Sequence, residues 1–205
     1  CPANLSDQES VEALVPSAEE AMGGLDILVN NAGGVSGRPF LQQSERSWRK
    51  HIDINLISML AATHAAAPLM IREGKGGSII NVASIEASRA APNFAVYAAC
   101  KAGMLSFTKS MALEFSEHKI RVNCIAPDHT ITPGNQGNRA GPVDPATWKQ
   151  HTTEESDAMN RLVPLLRQGI DLECGDAAVF LSSEMASYIT GAVIPVDGGL
   201  RKYQF

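Results

Sequence analysis

The chain has 205 residues, of which 44% are hydrophobic and 19% are charged, and this balance fits one globular domain with a sizeable core. A formal net charge of -5 argues against a nucleic-acid-binding surface. No apolar run approaches the ~18 residues that cross a bilayer, and no basic segment precedes an apolar one at the amino end, so we expect no membrane contact.

Four cysteines are spread along the chain without Cys-x-x-Cys spacing and without histidines at metal-ligand spacing: Cys1, Cys100, Cys124 and Cys174. We therefore expect free thiols, no metal site and a cytoplasmic location, where thiols stay reduced. Small molecules or other proteins remain as partners.

Helical periodicity and buried-strand composition alternate along the chain. Short apolar runs rich in β-branched residues predict strands at residues 25–30, 77–82 and 119–125. Helical spacing covers residues 7–22, 44–73 and 93–117. Ser6 and Ser44 are the candidate N-caps of the first two helices. This alternation predicts an α/β fold with a parallel sheet and helices on both faces.

The character of the chain changes after Ala126. The following residues carry seven helix and strand breakers: Pro127, Pro133, Gly134, Gly137, Gly141, Pro142 and Pro145. We expect an irregular excursion over residues 127–145, and a substrate-covering role for the region 127–167, with a solvated insertion as the alternative. Further on, we expect a helix over 147–167 that breaks at Pro164, a helix over 173–182 and a last strand at 192–196.

Tyr97 and Lys101 have the most informative spacing in the chain. Positions i and i+4 of a helix share one face, so the phenol and the ammonium lie side by side. A nearby positive charge favours the phenolate and lowers the tyrosine pKa from its usual value of about 10. The hydroxyl of Ser84 could hydrogen-bond a carbonyl or alcohol oxygen and orient it toward Tyr97. The alternative is a surface pair without chemistry.

Five motifs follow one another in order: Asn30-Asn-Ala-Gly33 after a strand, Asn55 in a helix, Ser84 after the next strand, Tyr97 with Lys101, and Thr190-Gly191 with Val196-Asp-Gly-Gly199. Together they resemble the short-chain dehydrogenase/reductase family, over almost the whole chain from about Asn4 to Gly199. The resemblance implies a Rossmann-type doubly wound parallel sheet, a nicotinamide cofactor, NAD or NADP, and hydride transfer between that cofactor and a carbonyl or secondary alcohol.

The resemblance also implies roles for four residues. Tyr97 would be the general acid in reduction and the general base in oxidation, and Ser84 would hold the substrate oxygen. Lys101 would lower the tyrosine pKa and bind the nicotinamide ribose. Asn55 would lie at a helix irregularity and support a water-linked proton path to Lys101, with an ordinary polar helix residue as the alternative.

Further residues match the cofactor-binding positions of the family. The turn with Asn30, Ala32 and Gly33 would approach a cofactor ribose, because glycine and small residues permit close backbone contact. Asn4 and Leu5 match the segment that contacts the adenine, although the family often has an aspartate where Asn4 stands.

The segment after Pro127 matches the one that touches the nicotinamide carboxamide, with Thr130 and Thr132 as the threonines. Asp128 replaces the family's glycine there, and aspartate is among the few residues that tolerate the left-handed region.

Three side chains between Ser84 and Tyr97 would border the substrate pocket, either as specificity residues or as rim residues: Glu86, Arg89 and Phe94. His129 is interpreted as a solvated loop residue. In the family, the segment 196–199 and the helix before it belong to a subunit interface, so we expect a homotetramer.

The glycine-rich turn that cradles the cofactor pyrophosphate does not occur in this sequence. We expect it to precede residue 1, within roughly 50 residues that form three further strands and two helices. Residues 1–205 would then be an amino-terminally incomplete, single dinucleotide-binding catalytic domain. The alternative function is a non-catalytic remnant that acts as an oligomerisation or binding module, and it predicts no binding of NADH or NADPH in calorimetry.

Overall fold

The protein is described from a computed structural model, which covers residues 1–132 and 153–200. Strands in these ranges are β1 (Ile27–Asn30), β2 (Gly77–Val82), β3 (Ile120–Pro127), β4 (Thr130–Ile131), β5 (Gly169–Ile170) and β6 (Val193–Val196). Helices are α1 (Gln8–Met22), α2 (Glu45–Ile52), α3 (Ser58–Glu73), α4 (Ala95–Glu114), α5 (Thr153–Leu162) and α6 (Asp171–Ser182). A π-helical turn, Asp53–Ile57, joins α2 to α3, and a 3₁₀ turn, Ile85–Ser88, follows β2.

A parallel sheet with strand order β1-β2-β3-β6 forms the centre of the molecule, and β4 pairs with β5 in a separate parallel ladder. Consecutive residues of β2 point to opposite faces. Ile79 packs in a cluster with Met70 of α3 and Ala112 of α4, whereas Ile80 packs with Leu181 of α6. Both faces of the sheet are therefore covered by helices, which confirms the predicted α/β class.

Helix boundaries agree with the sequence predictions except at a few ends. Ser44 caps α2, since its side chain accepts from the Ser47 N–H, but the predicted cap Ser6 is wrong: Asp7 caps α1 by accepting from the Ser10 N–H. The helix predicted over 147–167 ends at Leu162, because the chain turns before Pro164. Its first part, like residues 133–145 of the predicted excursion, lies outside the described residues, and the described part of that excursion includes the short strand β4.

One helical stretch, Glu45–Glu73, is long and apolar enough by length and composition to cross a membrane, contrary to the sequence expectation. Its most apolar part is 44% buried inside the protein. Ala66 and Met70 of this stretch are completely buried against the sheet. The apolar composition is accounted for by this role as a core helix.

Buried polar side chains connect the sheet to its helices. The Asn30 amide donates to Thr63 Oγ1 of α3 at 3.1 Å and to Asn81 Oδ1 of β2 at 2.9 Å. Asn81 in turn donates to Thr108 Oγ1 of α4 at 2.8 Å, and Thr108 donates to the Met104 carbonyl. Because each of these groups has its partner, the chain of hydrogen bonds fixes β1, β2, α3 and α4 relative to one another close to the carboxyl ends of the strands.

Replacement of Asn81 by alanine should lower the free energy of unfolding by about 2–3 kcal/mol, since buried groups of Asn30 and Thr108 each lose a partner. Urea unfolding followed by circular dichroism measures this. Ser110→Ala, at an exposed position of α4, is the control and should change stability by less than about 0.5 kcal/mol. Equal stability of the two variants would contradict a structural role for these buried hydrogen bonds.

Candidate active site

A cleft of about 630 Å³ opens at the carboxyl edge of the parallel sheet. It is lined by residues at the ends of β1, β2 and β3 and by parts of α4 and α6. In open α/β sheets this edge is where ligands bind, because the connections there splay apart. Eight of the predicted site residues line the cleft: Gly33, Asn55, Ser84, Tyr97, Lys101, Pro127, Thr130 and Thr132.

Ser84 and Tyr97 meet at one wall of this cleft. Ser84 lies two residues after the end of β2 and caps the 3₁₀ turn, where its oxygen accepts from the Glu86 N–H at 3.2 Å. The Ser84 side chain lies close enough to the phenol of Tyr97, in the first turn of α4, to act on the pKa of that phenol through hydrogen bonding. Lys101 lies one turn later, with its ammonium nitrogen 5.8 Å from the centre of the Tyr97 ring.

Burial governs the protonation of both residues. Burial raises the pKa of the Tyr97 phenol; the Ser84 hydrogen bond opposes the shift, and the nearby charges of Glu86 and Asp128 add to it. The predicted lowering of the tyrosine pKa is therefore wrong for this arrangement, because desolvation outweighs the favourable contacts. Burial also lowers the pKa of the Lys101 ammonium to about 8, although its nitrogen donates to the Val82 carbonyl at 2.7 Å.

Asn55 lies in the π-helical turn, so the prediction of a helix irregularity at this residue is confirmed. Its side chain is completely buried and clamps one peptide segment: Oδ1 accepts from the Gly34 N–H at 3.0 Å, and Nδ2 donates to the Gly34 carbonyl at 2.8 Å. A Cβ atom on Gly33 would lie 2.9 Å from Asn55 Oδ1 and 3.4 Å from Lys101 Nζ. Only glycine therefore permits this contact between the turn after β1 and the two polar side chains.

The predicted cofactor residues divide into two groups. Thr130 and Thr132 line the cleft together with Gly33 and Pro127. Leu5, Asn30 and Ala32 instead line a smaller cavity of about 200 Å³. Val29 and Asn31 line both spaces, so the small cavity continues the cleft along the end of β1.

Two of the asparagines predicted to bind the cofactor have side chains that already make hydrogen bonds. Asn30 uses its amide inside the sheet, so only its backbone can serve a ligand. Asn4 accepts from the Ser6 N–H at 3.2 Å and lines neither space. Its carbonyl oxygen has two lone pairs, so one acceptor position remains for the predicted adenine contact.

The segment after β3 differs from the expectation in its backbone. Left-handed geometry occurs at His129, with φ of 45°, and not at Asp128. His129 and Asp128 both line the cleft, and the Asp128 carboxylate accepts from Arg89 at 3.1 Å. Aspartate in place of glycine therefore introduces no positive-φ strain at its own position.

The three predicted pocket-border residues, Glu86, Arg89 and Phe94, do not line the cleft themselves. Arg89 donates to both Glu86 and Asp128, and it thereby contacts the cleft through Asp128. The Phe94 ring packs on Gly37, where a Cβ atom would lie 2.6 Å from the ring. Phe94 therefore positions the loop before α2.

Sequence reasoning did not identify the contribution of α6. Asp171, Cys174 and Gly175 line the cleft because β5, which precedes α6, pairs with β4 directly after the Asp128 segment. The Cys174 sulfur lies 3.7 Å from Thr130 Oγ1, and burial raises the pKa of its thiol. No local pattern in the sequence indicates this pairing, because β4 and β5 contain two residues each.

Comparisons with known proteins agree with this geometry. The family model described as Enoyl-(Acyl carrier protein) reductase matches residues 1–201. A 3beta-hydroxysteroid dehydrogenase of Eggerthella lenta is 38% identical over 98% of this chain and 73% of its own length. The chain belongs to the short-chain dehydrogenase/reductase family.

Solved structures of this family superpose closely on the chain. A gluconate 5-dehydrogenase from Burkholderia cenocepacia, in complex with NADP and tartrate, is 32% identical with a TM-score of 0.83, over 98% of this chain and 74% of that one. A carveol dehydrogenase from Mycobacterium avium, in complex with NAD, is 28% identical with a TM-score of 0.86, over 98% and 73%. As a short-chain dehydrogenase/reductase, this chain is a nicotinamide-dependent oxidoreductase of small molecules.

The buried Lys101 should make stability depend on pH. Its pKa falls from 10.5 in the unfolded chain to about 8 in the folded protein, so the folded protein binds fewer protons between these values. The free energy of unfolding should therefore rise with pH from about 8 toward 10.5. Below about pH 8, the folded protein should bear the full destabilisation that comes from burying the charged ammonium.

Between pH 7 and 9.5, we expect wild type to gain about 1–2 kcal/mol in unfolding free energy relative to Lys101→Met. Urea unfolding at both pH values measures the difference. Lys109→Met, at an exposed position of the same helix, is the control: wild type should show no such gain relative to it. A pH-independent difference between wild type and Lys101→Met would contradict the lowered pKa.

Proposed function

We propose that the protein is an NAD(P)-dependent dehydrogenase/reductase that interconverts a carbonyl and a secondary alcohol, with residues 1–205 as one dinucleotide-binding catalytic domain. The observation that carries the proposal is the convergence of Ser84, Tyr97 and Lys101 in one cleft at the carboxyl edge of the sheet. The relatives are oxidoreductases, and the alternative of a non-catalytic binding module gains no support from them.

In the proposed mechanism, the substrate oxygen accepts hydrogen bonds from Ser84 and Tyr97. A bound nicotinamide cofactor would supply the hydride-transfer chemistry at the substrate carbon. In reduction, Tyr97 gives its proton to the oxygen, and its raised pKa keeps the phenol protonated at neutral pH. In oxidation, the phenolate form of Tyr97 takes the proton from the alcohol.

The residues of the cleft fit a dinucleotide. An ammonium has three donors, and Val82 uses one of those of Lys101, which leaves donors for ribose hydroxyls. Gly33 and Gly34 present backbone without side chains, held by Asn55. We propose that Pro127, Thr130 and Thr132 border the nicotinamide, and that Asn4, Leu5, Asn30 and Ala32 border the adenosine. Either NAD or NADP is compatible with these residues.

We further propose that Asn55 supports a water-linked proton path to Lys101, and that region 127–167 covers the bound substrate. The first proposal is supported by the position of Asn55 in the π-helical turn beside Gly33 and Lys101. The second is supported by Thr130 and Thr132, which belong to this region and line the cleft. Residues 133–152 lie outside the described part of the chain.

Tyr97→Phe should reduce kcat for any substrate by at least about a hundredfold, because the proton donor and acceptor is lost while the ring remains. A spectrophotometric screen of ketones and secondary alcohols with both cofactors, on protein expressed from its complete reading frame, identifies the substrate for this measurement. Tyr188→Phe changes a fully exposed tyrosine and should leave kcat unchanged. Turnover in Tyr97→Phe close to wild type would contradict the assigned role.

We also propose a cytoplasmic homotetramer. Its support is a set of exposed apolar side chains on and after α6: Leu172, Val179, Met185 and Tyr188. The four cysteines are free thiols, which suits a reducing compartment. Light scattering coupled to size-exclusion chromatography should give four times the subunit mass, and Val179→Glu should reduce that mass. A monomeric wild type would contradict the proposal.

A further inference from the structure

An ion cluster borders the cleft at a position that the reaction itself does not require. Arg89 donates from Nε to Glu86 Oε1 at 3.2 Å and from its terminal nitrogen to Asp128 Oδ2 at 3.1 Å. These side chains are only partly exposed, at 34% for Arg89, 18% for Glu86 and 20% for Asp128. One guanidinium is thus shared by two carboxylates, and the cluster keeps one net negative charge.

The cluster connects the two segments that form the mouth of the site. Glu86 belongs to the turn after β2, and its N–H donates to the Ser84 side chain. Asp128 follows β3, and its N–H donates to the Val196 carbonyl of β6 at 3.3 Å. The Asp128 carboxylate lines the cleft beside Ser84 and Tyr97, and it is close enough to raise the pKa of the Tyr97 phenol together with Glu86.

Charge in the described cleft lining is unevenly distributed. Asp128 and Asp171 are acidic, whereas the ammonium of Lys101, from α4, donates to the Val82 carbonyl at the end of β2. Arg89 is the cation nearest to Asp128, but its charge is already shared by two carboxylates. A substrate that carries a carboxylate would therefore meet repulsion from Asp128 without a free guanidinium to compensate it.

We propose that Asp128, held in place by Arg89, is a specificity-determining residue that makes this site prefer neutral or cationic carbonyls and alcohols over carboxylated ones. The inference rests on the proposed oxidoreductase function and adds the charge class of its substrate. Arg89 is a positioning residue that acts through Asp128. Asp128 stands where the family commonly has glycine, and its carboxylate gives the site a preference for substrates by their charge.

The test uses three ketones with the same reacting group: acetophenone, para-acetylbenzoate and para-(aminomethyl)acetophenone. Each is measured as a substrate, or as a competitive inhibitor of the carbonyl that the screen identifies. For wild type, we expect binding or kcat/KM for the benzoate to be weaker than for acetophenone by about five- to thirtyfold, the size of one charge interaction near a protein surface. The preference should shrink in ~1 M salt, where the Debye length is ~3 Å.

Two variants should move the benzoate-to-acetophenone ratio in opposite directions. Asp128→Asn keeps an acceptor for Arg89 but removes the charge, so the ratio should rise about fivefold or more. Arg89→Gln leaves both carboxylates uncompensated, so the ratio should fall. Asp26→Asn removes an equal charge at an exposed position before β1, at the opposite edge of the sheet, and should leave the ratio unchanged.

Equal ratios for wild type and Asp128→Asn, or a wild-type preference for the benzoate, would overturn the inference while the oxidoreductase function stands. Absence of turnover for every ketone and alcohol in the screen would contradict the proposed function, and the inference would fall with it. Circular dichroism checks that each variant is folded. If Asp128→Asn does not fold, the wild-type preference, its salt dependence and Arg89→Gln decide the question.

Discussion

The burial of Lys101 is the constraint on which the rest of the site depends. Its side chain is 3% exposed, and an ammonium removed from water needs a partner, which the Val82 carbonyl at the end of β2 provides. This contact fixes the rotation of α4 against the sheet. Tyr97, Lys101, Met104 and Thr108 occupy the same helix face at spacings of four, three and four. One face of α4 therefore carries the phenol at the cleft and the completely buried Met104 and Thr108 in the core.

The same burial determines which protonation states the site favours. Desolvation lowers the pKa of Lys101 and raises that of Tyr97, so both side chains are shifted toward their neutral forms. At neutral pH the lysine nevertheless remains mostly charged, because its pKa of about 8 lies above that pH, and the phenol remains protonated. Tyr97 is consequently in the form that donates a proton, whereas a phenolate requires additional positive charge close to the ring.

The strands, α4 and the irregular helix at Asn55 were predictable because they depend on local periodicity and on a short motif order. Properties that depend on distant contacts were not. Sequence spacing placed Asn30 at a cofactor turn but could not show that its amide is used between α3 and β2. Asp171 and Cys174 reach the cleft through a two-residue strand pairing that leaves no sequence signal. The pKa of Tyr97 depends on burial, which the i+4 spacing with Lys101 does not specify.

The segment at Asp128 illustrates how a shared framework acquires individual chemistry. The turn after β2 holds Ser84 and the first turn of α4 holds Tyr97, and in the proposed mechanism both residues serve the reacting atoms. Asp128 is free of that requirement, since the neighbouring His129 takes the left-handed backbone conformation. Its carboxylate is instead stabilised by Arg89, which lies 39 positions earlier in the chain and also holds the turn after Ser84 through Glu86. The proposed selection of substrate charge at the cleft therefore leaves Ser84 and Tyr97, the residues proposed to act on the substrate oxygen, in place.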